Sequence, residues 1–215
     1  MQDTREEQIA ELLAANPVVP VVVIDDPRDA LAAGQALVAG GIHCAEVTFR
    51  TEGAAAAIEA MRQVEGLTVG AGTVIHAVQA EAAIARGATF LVSPGFSAEV
   101  AQVARAQNIP FVPGGATPTE IIAILDAGMT TVKFFPAQAM GGLPVLKAFS
   151  APFPQVRFLP TGGISAANMT EWLEQPFIPS VGGSWMITRS MVAQHKFDEI
   201  TALSAQAIAI ARGER

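Results

Sequence analysis

The chain has 215 residues, which fits one domain or two small ones and is long enough to bury a full hydrophobic core. A formal net charge of −7 disfavours nucleic acid or an anionic membrane as a partner, and no uncharged apolar run is long enough to span a bilayer. The acidic amino terminus does not read as a signal peptide, and the lone cysteine, Cys44, excludes an internal disulfide. We therefore expect a cytoplasmic enzyme or ligand-binding protein.

The elements alternate along the chain. Ile9, Leu12 and Leu13 share one side of an amphipathic segment that predicts an amino-terminal helix. Eight short apolar runs follow, and each is separated from the next by a helix-compatible, mostly alanine-rich segment. The runs begin near Val18, Cys44, Thr68, Ala88, Pro110, Thr131, Val156 and Ser180. Such alternation predicts parallel strands joined by right-handed helical crossovers.

The predicted helices are marked by proline-containing starts such as Asp26-Pro27 and Thr117-Pro118, and several end at glycines. They cover 27–39, 53–64, 77–86, 98–107, 118–127, 143–149 and 166–174, with a long last one to Ala211. Eight strand–helix units predict an α/β fold, a closed (β/α)8 TIM barrel, with residues 1–215 as a single domain carrying an extra amino-terminal helix. A doubly wound open sheet is less favoured because no GxGxxG follows the first strand.

One lysine interrupts an apolar strand. Lys133 lies in the run Thr130–Pro136, which otherwise reads as a buried parallel strand, and the chain has only three lysines. Burial disfavours the charged ammonium form, and a neutral amine beside an apolar wall is the nucleophile of Schiff-base chemistry on ketones. The alternative is a lysine that extends its head to the strand end or pairs with an acid.

Charged residues also line the second strand. Glu46, Thr48 and Arg50 share one side of it by the period of two. If that side faces the interior, Glu46 could move protons and Arg50 could hold a substrate carboxylate near Lys133. A structural ion pair, of Glu46 with Arg50 or with Lys133, would give the same pattern.

Consecutive glycines follow the last two strands, in Thr161-Gly162-Gly163 and Gly182-Gly183-Ser184. Glycine lets the backbone approach a ligand closely, and successive N–H groups can bind an anion such as phosphate. These could equally be turn glycines without a ligand. The three histidines show no metal-ligand spacing, and neither a metal nor a cofactor is expected.

Taken together, these motifs resemble the 2-keto-3-deoxy-6-phosphogluconate (KDPG) and 4-hydroxy-2-oxoglutarate (KHG) aldolases. The resemblance rests on EVTFRT at 46–51, GAGT at 70–73, SPG at 93–95, PGGATPTE at 113–120, VKFFPA at 132–137, PTGGI at 160–164 and GGSW at 182–185. It covers nearly the whole chain. Such enzymes are metal-free class I aldolases, trimeric barrels of the Entner–Doudoroff pathway.

The resemblance implies a role for each matching residue. Lys133 would form the Schiff base and Glu46 would be the general acid and base. The pyruvate part of the substrate would be bound by Arg50, Thr73, Pro94 and Phe135. Its phosphate would be bound by Thr161, Gly162, Gly163 and Ser184. The loop after Lys133 reads PAQAMGG, where family members often have PAE and a small polar residue, so Gln138 and Met140 bear on substrate preference.

The expected reaction is cleavage of KDPG to pyruvate and glyceraldehyde 3-phosphate, with cleavage of KHG to pyruvate and glyoxylate as a second activity. A close alternative is an aldolase for the galactonate epimer or another pyruvate-dependent aldolase. More distant alternatives are a sugar-phosphate isomerase or epimerase, and a non-catalytic barrel that binds phosphosugars.

Overall fold

The computed structural model describes residues 4–214; residues 1–3 and 215, which the predicted domain also included, lie outside the described residues. The strands are β1 (Val18–Val22), β2 (Cys44–Thr48), β3 (Thr68–Gly72), β4 (Leu91–Val92), β5 (Phe111–Val112), β6 (Thr131–Phe134), β7 (Arg157–Pro160) and β8 (Val181–Gly183). The α-helices are α1 (Thr4–Ala15), α2 (Ala30–Ala39), α3 (Ala54–Met61), α4 (Ala77–Ala85), α5 (Ala98–Ala106), α6 (Pro118–Asp126), α7 (Gly142–Ser150), α8 (Met169–Leu173), α9 (Arg189–Ala193) and α10 (Phe197–Ala211). A 3-10 turn, Pro27–Asp29, precedes α2.

The predicted closed barrel is wrong. Six strands form a parallel sheet in the order β5-β4-β3-β2-β1-β8, and β6 pairs with β7 in a separate two-stranded sheet. The larger sheet curls through 214° and stays open. Isolated bridges join the two sheets, Gly114 with Lys133 on one side and Thr161 with Gly182 on the other. The eight parallel strands exist near the predicted places, but they do not form one closed ladder.

The sequence around these two seams explains why the ladder stops. β5 is only two residues long and is followed by Pro113, and β7 ends at Pro160. Proline has no N–H to donate to a neighbouring strand, so each of these prolines removes one possible ladder bond at its seam. At the first seam the bonding is reduced to Lys133 N–H donating to Pro113 O at 2.8 Å and Gly115 N–H donating to Lys133 O at 3.0 Å.

The curled sheet separates two groups of buried side chains. The larger group lies between the sheet and the surrounding helices. The smaller group fills the inside of the curl, and we call it the inner cluster; it consists of Ile9, Leu13, Val19, Cys44, Phe90, Val92, Val112 and Leu159. The predicted amino-terminal helix is therefore present as α1, and two of its apolar residues close the inner cluster.

Helix α1 is also fixed to the start of β6 by a polar contact. The Glu6 carboxylate Oε2 accepts hydrogen bonds from Thr130 N at 2.8 Å and Thr130 Oγ1 at 2.7 Å. Thr130 directly precedes the strand that carries Lys133, so α1 anchors that strand as well as closing the interior.

The long last helix predicted to reach Ala211 is not continuous. It is divided into α9 and α10 around His195, whose φ is 54°. A left-handed residue cannot continue a right-handed helix, so the turn at His195 ends α9. Among residues 4–214, no helix is both long enough and apolar enough to cross a bilayer.

Cys44 lies in the inner cluster and is fully buried. Burial, with a smaller contribution from the negative charge of Glu46, raises the pKa of the Cys44 thiol to about 12. A thiol with that pKa ionises at only about one part in ten thousand at pH 8, and the thiolate is the reactive form.

We therefore expect Cys44 to resist labelling by a thiol reagent at pH 8 until the fold opens. Mass spectrometry of the native protein should show almost no adduct after an hour, whereas the protein in denaturant should be labelled fully within minutes. Because Cys44 is the only cysteine of the chain, the reagent reports on this position alone. Rapid labelling of the native protein would contradict the buried placement.

Candidate active site

Lys133 points into the interior of the curled sheet. Its register partner on β7 is Leu159, a member of the inner cluster, whereas its neighbours Val132 and Phe134 pack on the helix side. Alternate residues of a strand face opposite sides, so these contacts fix the direction of the lysine side chain. Lys133 is only 3% exposed, and it does not extend its head group into solvent.

The partner of Lys133 is Glu46. Lys133 Nζ donates to Glu46 Oε1 at 2.8 Å, and Glu46 is 1% exposed. Glu46 lies on β2 between Ala45 and Val47, which pack outward, so its side chain enters the same interior as the lysine. The other carboxylate oxygen, Oε2, is buried and has no hydrogen-bond partner among the described residues. Burying a carboxylate oxygen without a hydrogen-bond partner costs free energy, and such unsatisfied groups are often found at functional positions.

Arg50 is held by a different neighbour. Its Nε donates to Thr73 Oγ1 at 3.1 Å, and among the described residues no ion pair joins it to Glu46. Thr73 has φ 57°, a conformation that few residues other than glycine adopt. Of the two ion pairs considered as alternatives, the one between Glu46 and Arg50 is thus absent from the described residues, and the one between Glu46 and Lys133 is present.

A cavity of about 120 Å³ collects most of the remaining predicted residues. It is lined by Val21, Arg50, Phe135, Thr161, Gly162, Gly163, Ile164, Gly183 and Ser184. The Phe135 ring also connects this cavity with the buried pair, because Lys133 Nζ lies 5.8 Å from the ring centroid. The structure therefore brings Arg50, Phe135 and the predicted phosphate-binding residues to one place beside Lys133, and Thr73 adjoins them through its contact with Arg50.

The glycines after β7 adopt backbone conformations that only glycine accepts readily. Gly162 has φ 98° and Gly163 has φ 82°. Their carbonyl side is fixed, since Gln138 N–H donates to Gly162 O at 3.0 Å and Ala137 N–H donates to Thr161 O at 2.8 Å. Within residues 4–214, the N–H groups of Gly162 and Gly163 donate to no other group. Two free N–H groups at the wall of a cavity that contains Arg50 suit an anion.

Two parts of the sequence interpretation fit less well. Pro94 does not line this cavity, and its carbonyl instead packs against Gly114 at the seam beside β6. The interpretation left out Val21 and Ile164, which do line the cavity. Gly183 also lines it; the consecutive glycines at 182–183 indicate it as a possible anion contact, although the resemblance does not assign it a role. Val21 and Ile164 carry no signal beyond their places at strand ends.

An exposed ion pair lies on the rim at the carboxyl end of β1. Arg189 donates to Asp25 through Nε at 2.7 Å and through Nη2 at 2.6 Å. The hydrogen bonds from Arg189 hold the pKa of the Asp25 carboxyl below its usual value.

Among the described residues, no group of three or more His, Cys, Asp or Glu side chains is arranged to hold a metal ion.

The chemical capacity of the site follows from these contacts. A buried amine lies next to a carboxylate to which it can give its proton, which would leave a neutral nucleophile. The same carboxylate can then return protons to a substrate bound at the amine. A guanidinium and free backbone N–H groups in the adjoining cavity can hold negative groups of the substrate.

Comparison with known proteins identifies similar chains. The family model for KDPG and KHG aldolases matches residues 9–203. The chain is 44% identical over 203 residues to the 2-dehydro-3-deoxy-phosphogluconate aldolase of Treponema pallidum, covering 94% of this chain and 97% of that one.

Two solved structures are similar over almost their whole length. The KDPG aldolase of Zymomonas mobilis ZM4, with 3-phosphoglycerate, has a TM-score of 0.89 at 43% identity and covers 95% of this chain and 97% of its own. The KDPG aldolase from Legionella pneumophila, with pyruvate captured as a covalent carbinolamine, has a TM-score of 0.88 at 43% identity and covers 92% and 97%. The resemblance predicted from the sequence motifs is confirmed, and the chain belongs to the KDPG and KHG aldolase family.

Proposed function

We propose that this protein is a class I aldolase that cleaves KDPG to pyruvate and glyceraldehyde 3-phosphate, and KHG to pyruvate and glyoxylate. The observation that carries the proposal is the buried pair in which Lys133 Nζ donates to Glu46 Oε1 at 2.8 Å. The similar enzyme from Legionella pneumophila captures pyruvate as a covalent carbinolamine, the adduct that forms when an amine adds to a ketone.

The proposed reaction begins with proton transfer from Lys133 to Glu46. The neutral amine attacks the C2 ketone of the substrate, and Glu46 returns a proton so that water leaves and the iminium forms. Arg50 orients the substrate carboxylate so that the ketone meets the amine in a reactive geometry.

Carbon–carbon cleavage uses the iminium as an electron sink. Glu46, directly or through a water, removes the proton of the C4 hydroxyl, and the C3–C4 bond breaks to release the aldehyde. The enamine that remains on Lys133 takes a proton at C3 and becomes an iminium again. Hydrolysis of this iminium releases pyruvate and restores the amine.

The phosphate of KDPG is proposed to lie against Thr161, Gly162, Gly163 and Ser184. The free N–H groups of Gly162 and Gly163 support this placement, and the Zymomonas mobilis enzyme was solved with a phosphorylated acid, 3-phosphoglycerate. Thr73 contributes by holding Arg50, and Phe135 forms an apolar wall beside the amine. Pro94 is proposed to contact the pyruvate part of the substrate.

Borohydride reduction in the presence of pyruvate tests the proposal. The reagent converts an iminium into a stable secondary amine, and peptide mass spectrometry then locates the adduct. We expect the adduct on Lys133, with the exposed Lys147 and Lys196 as internal controls that stay unmodified. If no lysine is trapped and activity survives reduction, the Schiff-base mechanism fails and a phosphate-binding isomerase becomes the better interpretation.

We further propose that the protein forms a homotrimer in the cytoplasm. The lone, buried Cys44 fits a reducing compartment, and trimers are expected from the family resemblance. Exposed apolar residues such as Ile75 and Val78 offer material for an interface. Sedimentation equilibrium would test the assembly, and a single species with three times the mass of the chain is the expected result.

A further inference from the structure

The strand beside Glu46 has two glycines on its inner side. Glu46 on β2 is the register partner of Gly70 on β3, and Thr48 is the partner of Gly72. Alternate residues of a strand share a side, so Gly70 and Gly72 both face the interior together with Glu46. Interiors of this kind are usually filled by bulky branched side chains. Two missing side chains therefore leave space that other groups occupy.

The two glycines make room for different neighbours. A Cβ placed on Gly70 would lie 2.5 Å from the ring of Phe90, which belongs to the inner cluster. A Cβ placed on Gly72 would lie 2.9 Å from Glu46 Cδ and 3.2 Å from Glu46 Oε2. The space at Gly72 is thus filled by the carboxyl group itself, on the side of the oxygen that has no partner.

The carboxyl group of Glu46 could not yield to an added methyl without losing its alignment. Its Oε1 accepts from Lys133 Nζ at 2.8 Å, and the side chain is 1% exposed. A contact of 2.9 Å between carbon atoms is well inside the optimal separation of about 3.5–4.0 Å. The carboxyl group would have to rotate or withdraw. Either movement would change the contact between Oε1 and Lys133 and the position of the unpartnered Oε2.

From this geometry we infer that Gly72 is a positioning residue for the acid–base chemistry of Glu46. Because Gly72 has no side chain, the Glu46 carboxyl group can occupy the space beside it. In that position Oε1 contacts Lys133 and Oε2 points away from the ion pair. The inference rests on the proposed function, in which Glu46 moves the protons of each step. Gly72 itself touches no substrate in this account and acts only through Glu46.

Gly72→Ala should therefore lower kcat by about 10-fold to 100-fold and leave the KM for KDPG within about 2-fold. Because proton transfer would be mispositioned, the pH dependence of kcat should also change. A purely structural role would not produce this combination. Gly70→Ala is the control for overpacking, since it adds the same methyl group to the same side of the same strand but meets the buried ring of Phe90. It should lower stability and leave the pH profile of kcat unchanged.

A double variant separates positioning from stability. Glu46→Ala removes the group that the new methyl would meet, so Glu46→Ala/Gly72→Ala should be about as stable as Glu46→Ala alone, which has already lost the buried ion pair. The double variant should trap pyruvate with borohydride at the same rate as Glu46→Ala alone. A further loss of 10-fold or more, or failure of the double variant to fold where Glu46→Ala alone folds, would overturn the inference, because Gly72 would then act through something other than Glu46.

Two measurements distinguish failure of the role inferred for Gly72 from failure of the proposed aldolase function. Trapping of pyruvate on Lys133 in the unmodified protein tests the aldolase mechanism by itself. If that trapping succeeds and Gly72→Ala keeps kcat and its pH profile, the role of Gly72 is refuted while the mechanism stands. If trapping fails in the unmodified protein, the mechanism fails and the inference with it.

Discussion

Lys133→Met is expected to abolish aldolase activity and pyruvate trapping and also to destabilise the fold. Methionine has nearly the volume of lysine but cannot form a Schiff base, so activity should fall by more than about 10⁴-fold. The substitution also leaves Glu46, which is 1% exposed, as a buried carboxylate without its cation. Removal of one partner of a buried ion pair costs about 3–5 kcal/mol. Chemical denaturation at fixed protein concentration should show a loss of this size.

A second substitution should restore the stability but not the activity. Lys133→Met/Glu46→Gln replaces the buried charges by two neutral side chains of similar shape. Replacing both members of a buried pair is often neutral or stabilising. We therefore expect the double variant to unfold within about 1–2 kcal/mol of the unmodified protein while remaining inactive. The unfolding free energies of Lys133→Met, Glu46→Gln and the double variant form a double-mutant cycle. The cycle isolates the interaction energy between Lys133 and Glu46.

The controls for this cycle lie elsewhere on the chain. Lys147→Met changes an exposed lysine of α7 and should alter the free energy of unfolding by less than about 0.5 kcal/mol. Lys133→Arg keeps the positive charge next to Glu46 but not the Schiff-base chemistry, so it should be inactive, whereas an isomerase would keep partial activity. If Lys133→Met proved as stable as the unmodified protein, the two charges would not be coupled as the 2.8 Å contact requires.

Local patterns identified the chemistry of this chain better than its sheet topology. The period of two placed Glu46 on one side of β2, and a lysine within an apolar run predicted that Lys133 is buried; its pairing with an acid was one of the alternatives left open. Both signals come from residues close in sequence. That the two residues, 87 positions apart in the chain, could share one interior followed from the predicted barrel, but the direct contact between them did not.

Closure of the sheet depended on features that alternation does not report. Eight strand–helix units gave the right strands and the right direction of pairing, but the ladders stop where β5 shortens to two residues before Pro113 and where β7 ends at Pro160. Those prolines were visible in the sequence, and their cost in strand hydrogen bonds could have tempered the expectation of closure. The division of the last helix at His195 was not visible, because histidine does not require a positive φ.

Gly162→Ala is expected to lower activity toward a phosphorylated substrate. Gly162 has φ 98°, which strains any residue with a side chain, and a Cβ there would lie 3.2 Å from Pro136 Cα. Neither the backbone of Pro136 nor the loop bonded to Gln138 can move freely, so the N–H groups of Gly162 and Gly163 should turn away from the cavity. Hydrogen bonds to a charged group contribute about 1.5–3 kcal/mol, so kcat/KM for KDPG should fall about 10-fold to 150-fold.

The same substitution should spare the unphosphorylated substrate. KHG has no phosphate, so its kcat/KM should stay within about 3-fold of the unmodified value, and pyruvate should still be trapped on Lys133. Gly128→Ala is the matched control: Gly128 has φ 85° at the end of α6 with nothing within 4 Å of an added Cβ, so it carries the same backbone strain far from the cavity. It should lower stability by about 1 kcal/mol and change neither substrate's kcat/KM.

Equal losses for KDPG and KHG in Gly162→Ala would mean that the loop supports the whole site, and no loss for either would mean that the phosphate is held elsewhere. A loss confined to KDPG would assign the free N–H groups to the phosphate, because KHG carries a carboxylate but no phosphate.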